Sequence, residues 1–220
     1  QSAQDVSGQA LKPIRGTNYE LGGKGEYFDG ALNTSVAIFR MNQRNRAITD
    51  DENCPTGGIV ACSRAAGEVQ SQGVELQVAG ALTSSWQVSA GYTYAKAKYT
   101  KDAVQTNIGQ RVATDEPQHL FKLATNYRLP GSLSQWSLLG SVVGQSKIYT
   151  ANEGYYTSQG AYFVVGLGAA YRFNQRIQVQ LNVDNVFDKT YYSGLGASWS
   201  GSGARYGRPR SVTVTGRYTF

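Results

Sequence analysis

Long apolar runs are missing from this chain: the best candidate, Ala161 to Tyr171, is short and broken by Gly166 and Gly168. A membrane-spanning helix needs roughly 18 uninterrupted apolar residues, so spanning helices are excluded and spanning strands are not. Proline (5) and methionine (1) are scarce while glycine (26) and tyrosine (15) are plentiful, a balance that suits many short strands with tight turns. The reading is all-β. A single histidine and two cysteines cannot fill a four-ligand zinc site, and no metal site is expected. Cys54 and Cys62 stand close together in a polar, Gly-containing segment, which predicts a local loop disulfide in an oxidising compartment, with two free thiols as the other reading. Basic residues exceed acidic ones by a formal +6, but no Lys/Arg block interleaves with aromatics, so nucleic acid is not an expected partner. The opening Gln-Ser-Ala-Gln-Asp-Val has neither an initiator methionine nor a basic-then-apolar secretory signal, as expected of a mature product or a piece of a longer chain.

What is present is alternation. From Arg176 to Asp188, Ile177, Val179, Leu181 and Val183 fall on one side of an extended chain and Gln178, Gln180, Asn182 and Asp184 on the other. The same pattern predicts nine strands, at about Thr17–Tyr27, Ala31–Thr49, Val69–Leu82, Trp86–Tyr99, Gln118–Leu129, Gln135–Ile148, Ala161–Phe173, Arg176–Asp188 and Pro209–Phe220. Short connections (Asp29-Gly30, Thr83-Ser84-Ser85, Pro130 to Ser134, Asn174-Gln175) alternate with long polar, Gly-rich ones near Asp50–Glu68, Thr100–Pro117, Tyr149–Gly160 and Lys189–Arg208. Alternate connections of an antiparallel sheet share an end, so short turns and long loops separate, as in an outer-membrane barrel.

Aromatic placement agrees. Tyr27, Phe28, Trp86, Trp136, Phe173, Tyr218 and Phe220 stand by the short turns, and Tyr92, Tyr94, Tyr99, Tyr149, Tyr162, Tyr191 and Tyr192 near the long loops. Two such girdles framing a band of Val, Leu, Ile, Ala and Gly mark two lipid headgroup levels. The opposite parity supplies Glu20, Lys24, Glu26, Glu75, Lys122, Asn126, Arg128 and Arg217, a face suited to a wet or plugged interior. An open sheet edge is not tolerated in hydrocarbon, and nine strands do not close as a bacterial single-chain barrel, so further strands are expected.

Gly-Thr-Asn-Tyr-Glu-Leu-Gly-Gly-Lys-Gly (16–25), Ser-Gln-Gly-Val-Glu-Leu (71–76) with Trp86 and Gly-Tyr-Thr (91–93), and Pro-Gln-His (117–119) form an ordered set. Asn-Val-Asp-Asn-Val-Phe-Asp-Lys-Thr-Tyr (182–191), Gly-Arg-Pro-Arg (207–210) and the terminal Phe220 complete it. In this order, over nearly the whole chain, they resemble the TonB-dependent outer-membrane receptors, in particular the ferric siderophore receptors. The resemblance implies an antiparallel transmembrane β-barrel of 22 strands filled by an N-terminal plug. It also implies import of a ferric chelate with energy from the inner-membrane TonB complex. Residues 1–220 are then about nine C-terminal strands of that barrel, with the plug and earlier strands lying outside them. Tyr218-Thr219-Phe220 is similar to the family's barrel-assembly signal. The implied location is the bacterial outer membrane. The implied partners are a ferric siderophore, the TonB complex through the N-terminal part, and outer-membrane lipid and lipopolysaccharide, around a monomeric barrel. No cofactor is expected beyond iron carried in by the siderophore.

Ligand capture is implied to fall to loops where aromatic and basic side chains meet a flat, often anionic chelate. The candidates are Tyr149, Tyr155 and Tyr156 in one loop and Trp199, Arg205 and Tyr206 in the last, set against headgroup anchoring or loop packing as the plainer role of each. Trp199 leads because it sits mid-loop, away from either girdle. Asp50-Asp51-Glu52-Asn53 lacks the spacing and glycine of a calcium loop. An enzyme is not expected. If the Pro130–Ser134 turn pairs Leu129 with Trp136, His119 falls opposite Ser146 as a conceivable base and nucleophile, but no third residue orients the imidazole. The other reading of the barrel is the end of a passive porin-like or autotransporter-like wall.

Overall fold

The computed structural model describes residues 3–50, 53–54, 62–152, 155–196 and 203–220, with backbone alone at 152 and 155. Its long strands are β1 (Arg15–Tyr27), β2 (Leu32–Thr49), β3 (Ser63–Thr83), β4 (Trp86–Lys101), β5 (His119–Arg128) and β6 (Trp136–Gln145). Two short strands, β7 (Ile148–Asn152) and β8 (Tyr155–Gln159), precede β9 (Tyr162–Arg172) and β10 (Ile177–Asp184). Two more, β11 (Tyr192–Gly194) and β12 (Arg205–Tyr206), precede β13 (Ser211–Tyr218). The nine long strands form one sheet in the order β1-β2-β3-β4-β5-β6-β9-β10-β13, matching the nine predicted from alternation.

The turns follow their chemistry. At Phe28–Ala31 the central residues Asp29 and Gly30 have φ of 54° and 82° and Ala31 N–H donates to Phe28 O (3.1 Å), the left-handed hairpin geometry that Asp-Gly favours. At the β9–β10 turn, Asn174 Oδ1 accepts the backbone N–H of both Arg176 and Ile177, each at 2.9 Å. Gly80, at φ 140°, is pressed against the Ala31 carbonyl, where a Cβ has no room; glycine is required there.

The antiparallel registers from β4 to β13 sort side chains into two faces. One row runs Ala90, Leu123, Val142 and Val165, and another runs Leu138, Ala169, Leu181 and Val214. The opposite face carries Gln87, Asn126, Gly168, Asn182 and Thr213. The apolar face is not a core: Ile177, Val179 and Leu181 keep 39%, 37% and 42% of their surface exposed. Oily side chains therefore point away from the protein, which in water would be costly at about 25 cal/mol per Å² and in lipid is not.

At the short-turn end of this face lies an aromatic row. Trp86 packs edge-on to Tyr127 (6.2 Å) and Trp136 lies against Tyr171 (4.8 Å), which meets Phe173 (4.7 Å). Tyr127 and Tyr171 belong to the girdle although the sequence reading did not place them there. The Trp86 indole N–H donates to Thr125 Oγ1 (2.7 Å), so even this polar edge is satisfied within the sheet.

By compactness the chain divides into two units, each described by itself. One comprises Gln1–Leu21, Ala37–Val74 and Ala95–Ala113. Within it the Cys54–Cys62 disulfide forms as expected, and Lys101 Nζ meets Glu68 Oε1 at 2.9 Å. Asp50 is buried beside the disulfide, bonded by the Asn53 amide (2.9 Å) and 3.9 Å from Arg64 Nε. β3 begins at Ser63 instead of Val69; Ser63 N–H donates to Gln4 O (2.8 Å), and these residues pair without the alternation by which strands are recognised. The other unit, Gly22–Val36, Glu75–Tyr94 and Thr114–Phe220, contains the candidate site.

Candidate functional site

Two of the long connections are not irregular. Ile148–Asn152 and Tyr155–Gln159 carry β-branched and aromatic residues in short runs and pair as a hairpin, with Tyr149 opposite Ser158 and Ala151 opposite Tyr156. Ile148 is buried at its foot, and Tyr149 N–H donates to Thr114 O (2.9 Å), tying the hairpin to the β4–β5 connection. The Tyr149 and Tyr156 rings stack at 5.7 Å and 28°, with Lys147 Nζ 5.9 Å from the Tyr156 centroid. This places an ammonium over an exposed aromatic face.

The second hairpin joins Tyr192 to Tyr206, whose rings stack at 4.7 Å and whose hydroxyls lie 3.3 Å apart. The Tyr206 hydroxyl hydrogen bond, then the repulsion of its phenolate, raise the Tyr192 pKa above the ordinary tyrosine value. Ser193 Oγ donates to the carbonyls of Arg205 (3.2 Å) and Tyr206 (3.3 Å). Tyr192 N–H reaches back to Gln159 Oε1 (2.9 Å), so one amide side chain links the two hairpins.

The feet of the last loop are held by the Asn-Val-Asp-Asn-Val-Phe-Asp motif. Asn185, 3% exposed and at φ 51°, donates from Nδ2 to Lys189 O (2.9 Å) and Arg208 O (3.0 Å) and accepts Lys189 N–H at 2.8 Å. Asp188 Oδ1 accepts Arg210 N–H (3.0 Å). Tyr191 stacks on Tyr162 at 4.5 Å and covers Gly207, where any Cβ would strike its ring.

Of the predicted ligand residues, Tyr149 and Tyr156 come together in one hairpin and Arg205 and Tyr206 in the other; Tyr155 opens β8. Trp199 lies outside the described residues. Lys147, Gln159, Tyr191 and Tyr192 were not among the ligand candidates, though the two tyrosines were read as girdle. Tyr162 corrects that girdle: opposite Gln145, it shares the parity of Gly168 and Ala170, is 7% exposed and packs on Tyr191. Counting parity back from Leu167 would have shown it.

His119 does fall opposite Ser146, with Ser146 N–H donating to His119 O (3.0 Å), but the side chains do not form a base and nucleophile pair. Ser146 Oγ accepts the His119 backbone N–H (3.1 Å), while Nδ1 of the imidazole bonds the Tyr92 hydroxyl (2.8 Å) and the ring lies against Tyr94 (4.9 Å). Among the described residues no group of His, Cys, Asp or Glu is placed to hold a metal ion.

An antiparallel sheet with an exposed apolar face, an aromatic row at its turn end and ordered hairpins in its long loops is the wall of a membrane-spanning β-barrel. Residues 1–186 match the family model for the TonB dependent receptor-like β-barrel, and the chain belongs to that family of outer-membrane barrels. It is 38% identical over its whole length to the ferric-pyoverdine 358 receptor of Pseudomonas putida, of which it covers 26%. It is 35% identical to the ferripyoverdine receptor of Pseudomonas aeruginosa, covering 99% of this chain and 26% of that one. The crystal structure of the Pseudomonas aeruginosa ferripyoverdine receptor bound to ferripyoverdine superposes with a TM-score of 0.84 at 34% identity, covering 98% of this chain and 28% of that one. The chain thus spans about a quarter of the length of these relatives. The family is one of transport receptors.

Proposed function

We propose that the protein to which these residues belong imports a ferric siderophore of the pyoverdine class across the outer membrane, using energy passed from the TonB complex. The described strands supply lipid-facing wall, and the two hairpins supply part of the ligand-facing rim. The observation that carries this reading is the pair of stacked tyrosine couples, Tyr149 with Tyr156 and Tyr192 with Tyr206, with Lys147 beside the first and the hairpins joined through Gln159. Flat aromatic faces beside cations suit a planar, anionic chelate. The names of the relatives support the pyoverdine class. Iron enters as part of the ligand, with no resident cofactor, and the barrel works as a monomer seated in lipid and lipopolysaccharide. No catalytic role is assigned to His119 or Ser146, and Ser146→Ala leaves transport unchanged.

The test is ferric pyoverdine binding and uptake by the full-length receptor. Tyr156→Ala, which removes one stacking partner and the seat of Lys147, weakens binding by about tenfold. Trp199→Ala belongs in the same series. Collapse of the proton-motive force stops uptake and leaves binding intact. Binding unchanged in both variants, or uptake that continues without the proton-motive force, contradicts the reading; the latter is the behaviour of a passive pore.

A further inference from the structure

The formal basic excess could serve an anionic ligand or the phosphates of lipopolysaccharide. Part of it falls on the lipid side of the wall. On β4 the parity of Trp86, Val88 and Ala90, which belongs to the apolar face, continues through Tyr92 and Tyr94 to Lys96 and Lys98. From Trp86 to Lys96 the strand climbs about 26 Å toward the loops, at about 3.4 Å per residue and a tilt of about 40°. The apolar band of an outer-membrane barrel is about 25 Å tall, so both lysines clear the hydrocarbon and stand at the outer headgroup level. Arg111 is the direct antiparallel partner of Lys98, which puts its side chain on the same face. Next to β4, β3 carries Gln70 on the parity of Leu76, and with its amide oxygen turned to β2, Gln70 accepts from Arg40 Nε (3.0 Å) and Nη2 (2.7 Å). Arg40 continues the parity of Val36 and Ile38. β2 and β4 contain no Asp or Glu, and on β3 the one carboxylate of this parity, Glu68, is held by Lys101 at 2.9 Å. The ion pairs among the described residues include neither Lys96, Lys98 nor Arg40. All these charged residues belong to one compact unit.

We propose that Lys96, Lys98, Arg111 and Arg40 form a site on the lipid-facing side of the wall that binds the phosphates of lipopolysaccharide in the outer leaflet. Charge and level together commit the occupant: an anionic headgroup at the height of the cations, with acyl chains against the apolar residues lower on β2 and β4. Lysine stems lie along apolar surface while their ammonium groups reach up to phosphate as point charges, and the guanidinium groups add paired N–H donors. β2 and β4 stand two strand spacings apart, about 9.6 Å, which suits a headgroup with two separated phosphates better than one small ion. The site faces lipid, so it depends neither on what fills the interior nor on what the protein imports.

The test is binding of purified lipid A, the bisphosphorylated glycolipid end of lipopolysaccharide, to the full-length receptor in detergent, read as bound lipid per receptor by native mass spectrometry. Wild type binds it saturably, and Lys96→Gln/Lys98→Gln weakens binding about thirtyfold, about fivefold for each cation at an anionic lipid surface. Lys122→Gln/Arg128→Gln removes the same charge from the opposite face and binds lipid A as wild type does. Dephosphorylated lipid A binds wild type no better than lipid A binds the Lys96/Lys98 variant, and inorganic phosphate does not displace lipid A. Equal affinity of wild type and the Lys96/Lys98 variant overturns the proposal, as does an equal loss in the Lys122/Arg128 variant, which would mark a response to net charge alone. Dephosphorylated lipid A bound as tightly as lipid A also overturns it, because the wall would then hold acyl chains only, and this arm needs no variant. Displacement by inorganic phosphate overturns it too, in favour of a small-anion site.

Discussion

Asn185 closes both feet of the last loop with one side chain, satisfying three backbone groups from a left-handed backbone position that asparagine tolerates. Asn185→Ala removes all three hydrogen bonds at a cost of about 0.5–1.5 kcal/mol each, and limited proteolysis of residues 185–210 should quicken while the strands stay resistant. The motif was legible in the sequence, but its task was not, because one of its two acceptors, Arg208 O, depends on where the chain returns after more than twenty residues. Tyr192 makes a pH prediction. Its raised pKa means the folded loop resists ionisation, so its contribution is fully present below about pH 10 and lost as pH rises through the raised value. Ultraviolet difference titration of Tyr206→Phe should return that ionisation to the ordinary range. An unaltered titration would contradict the hydroxyl pair.

Strands were read well because a period of two survives any amount of uncertainty about neighbours, and β10 is the plainest case. Its ends were read too long: Asp188 belongs to the loop foot, where Asn185 and Asp188 take positive φ and end the ladder. Hairpins β7–β8 and β11–β12 escaped notice because their runs are short and lie among the glycines and serines of loop composition. Parity makes a sharp prediction on β10. Leu181→Arg puts a charge into hydrocarbon and costs about 2–4 kcal/mol of folding stability in a bilayer, whereas Gln180→Arg, one residue away on the polar face, costs little. Refolding into vesicles followed by denaturant titration measures both. In the β2–β3 connection, replacing Cys54 and Cys62 by serine removes a link worth about 2–3 kcal/mol to loop order, read as faster cleavage there with the strands unaffected.

At the scale of the molecule, the family and the two-faced sheet were recoverable from sequence, since both follow from ordered motifs and alternation. The two loop hairpins were recoverable only in part. Tyr149, Tyr156, Arg205 and Tyr206, which the family resemblance singles out as the proposed ligand contacts, fall in them, but the amide bridge through Gln159 and the seat of Tyr191 over Gly207 are products of tertiary geometry. Gly207→Ala tests that seat: displacing Tyr191 should weaken ferric pyoverdine binding severalfold with the strands intact. The sheet itself has two outer strands, β1 and β13, each with a single neighbour in its order, and hydrocarbon requires partners for both free edges. The central claim is that the oily face of this sheet meets lipid and the polar face meets the interior. Spin labels placed singly from 177 to 184 in the full-length receptor in a bilayer test it most directly. The account predicts that labels at 177, 179, 181 and 183 are relaxed by dissolved oxygen, while those at 178, 180, 182 and 184 are shielded from it. The reverse pattern, or no alternation at all, would contradict it.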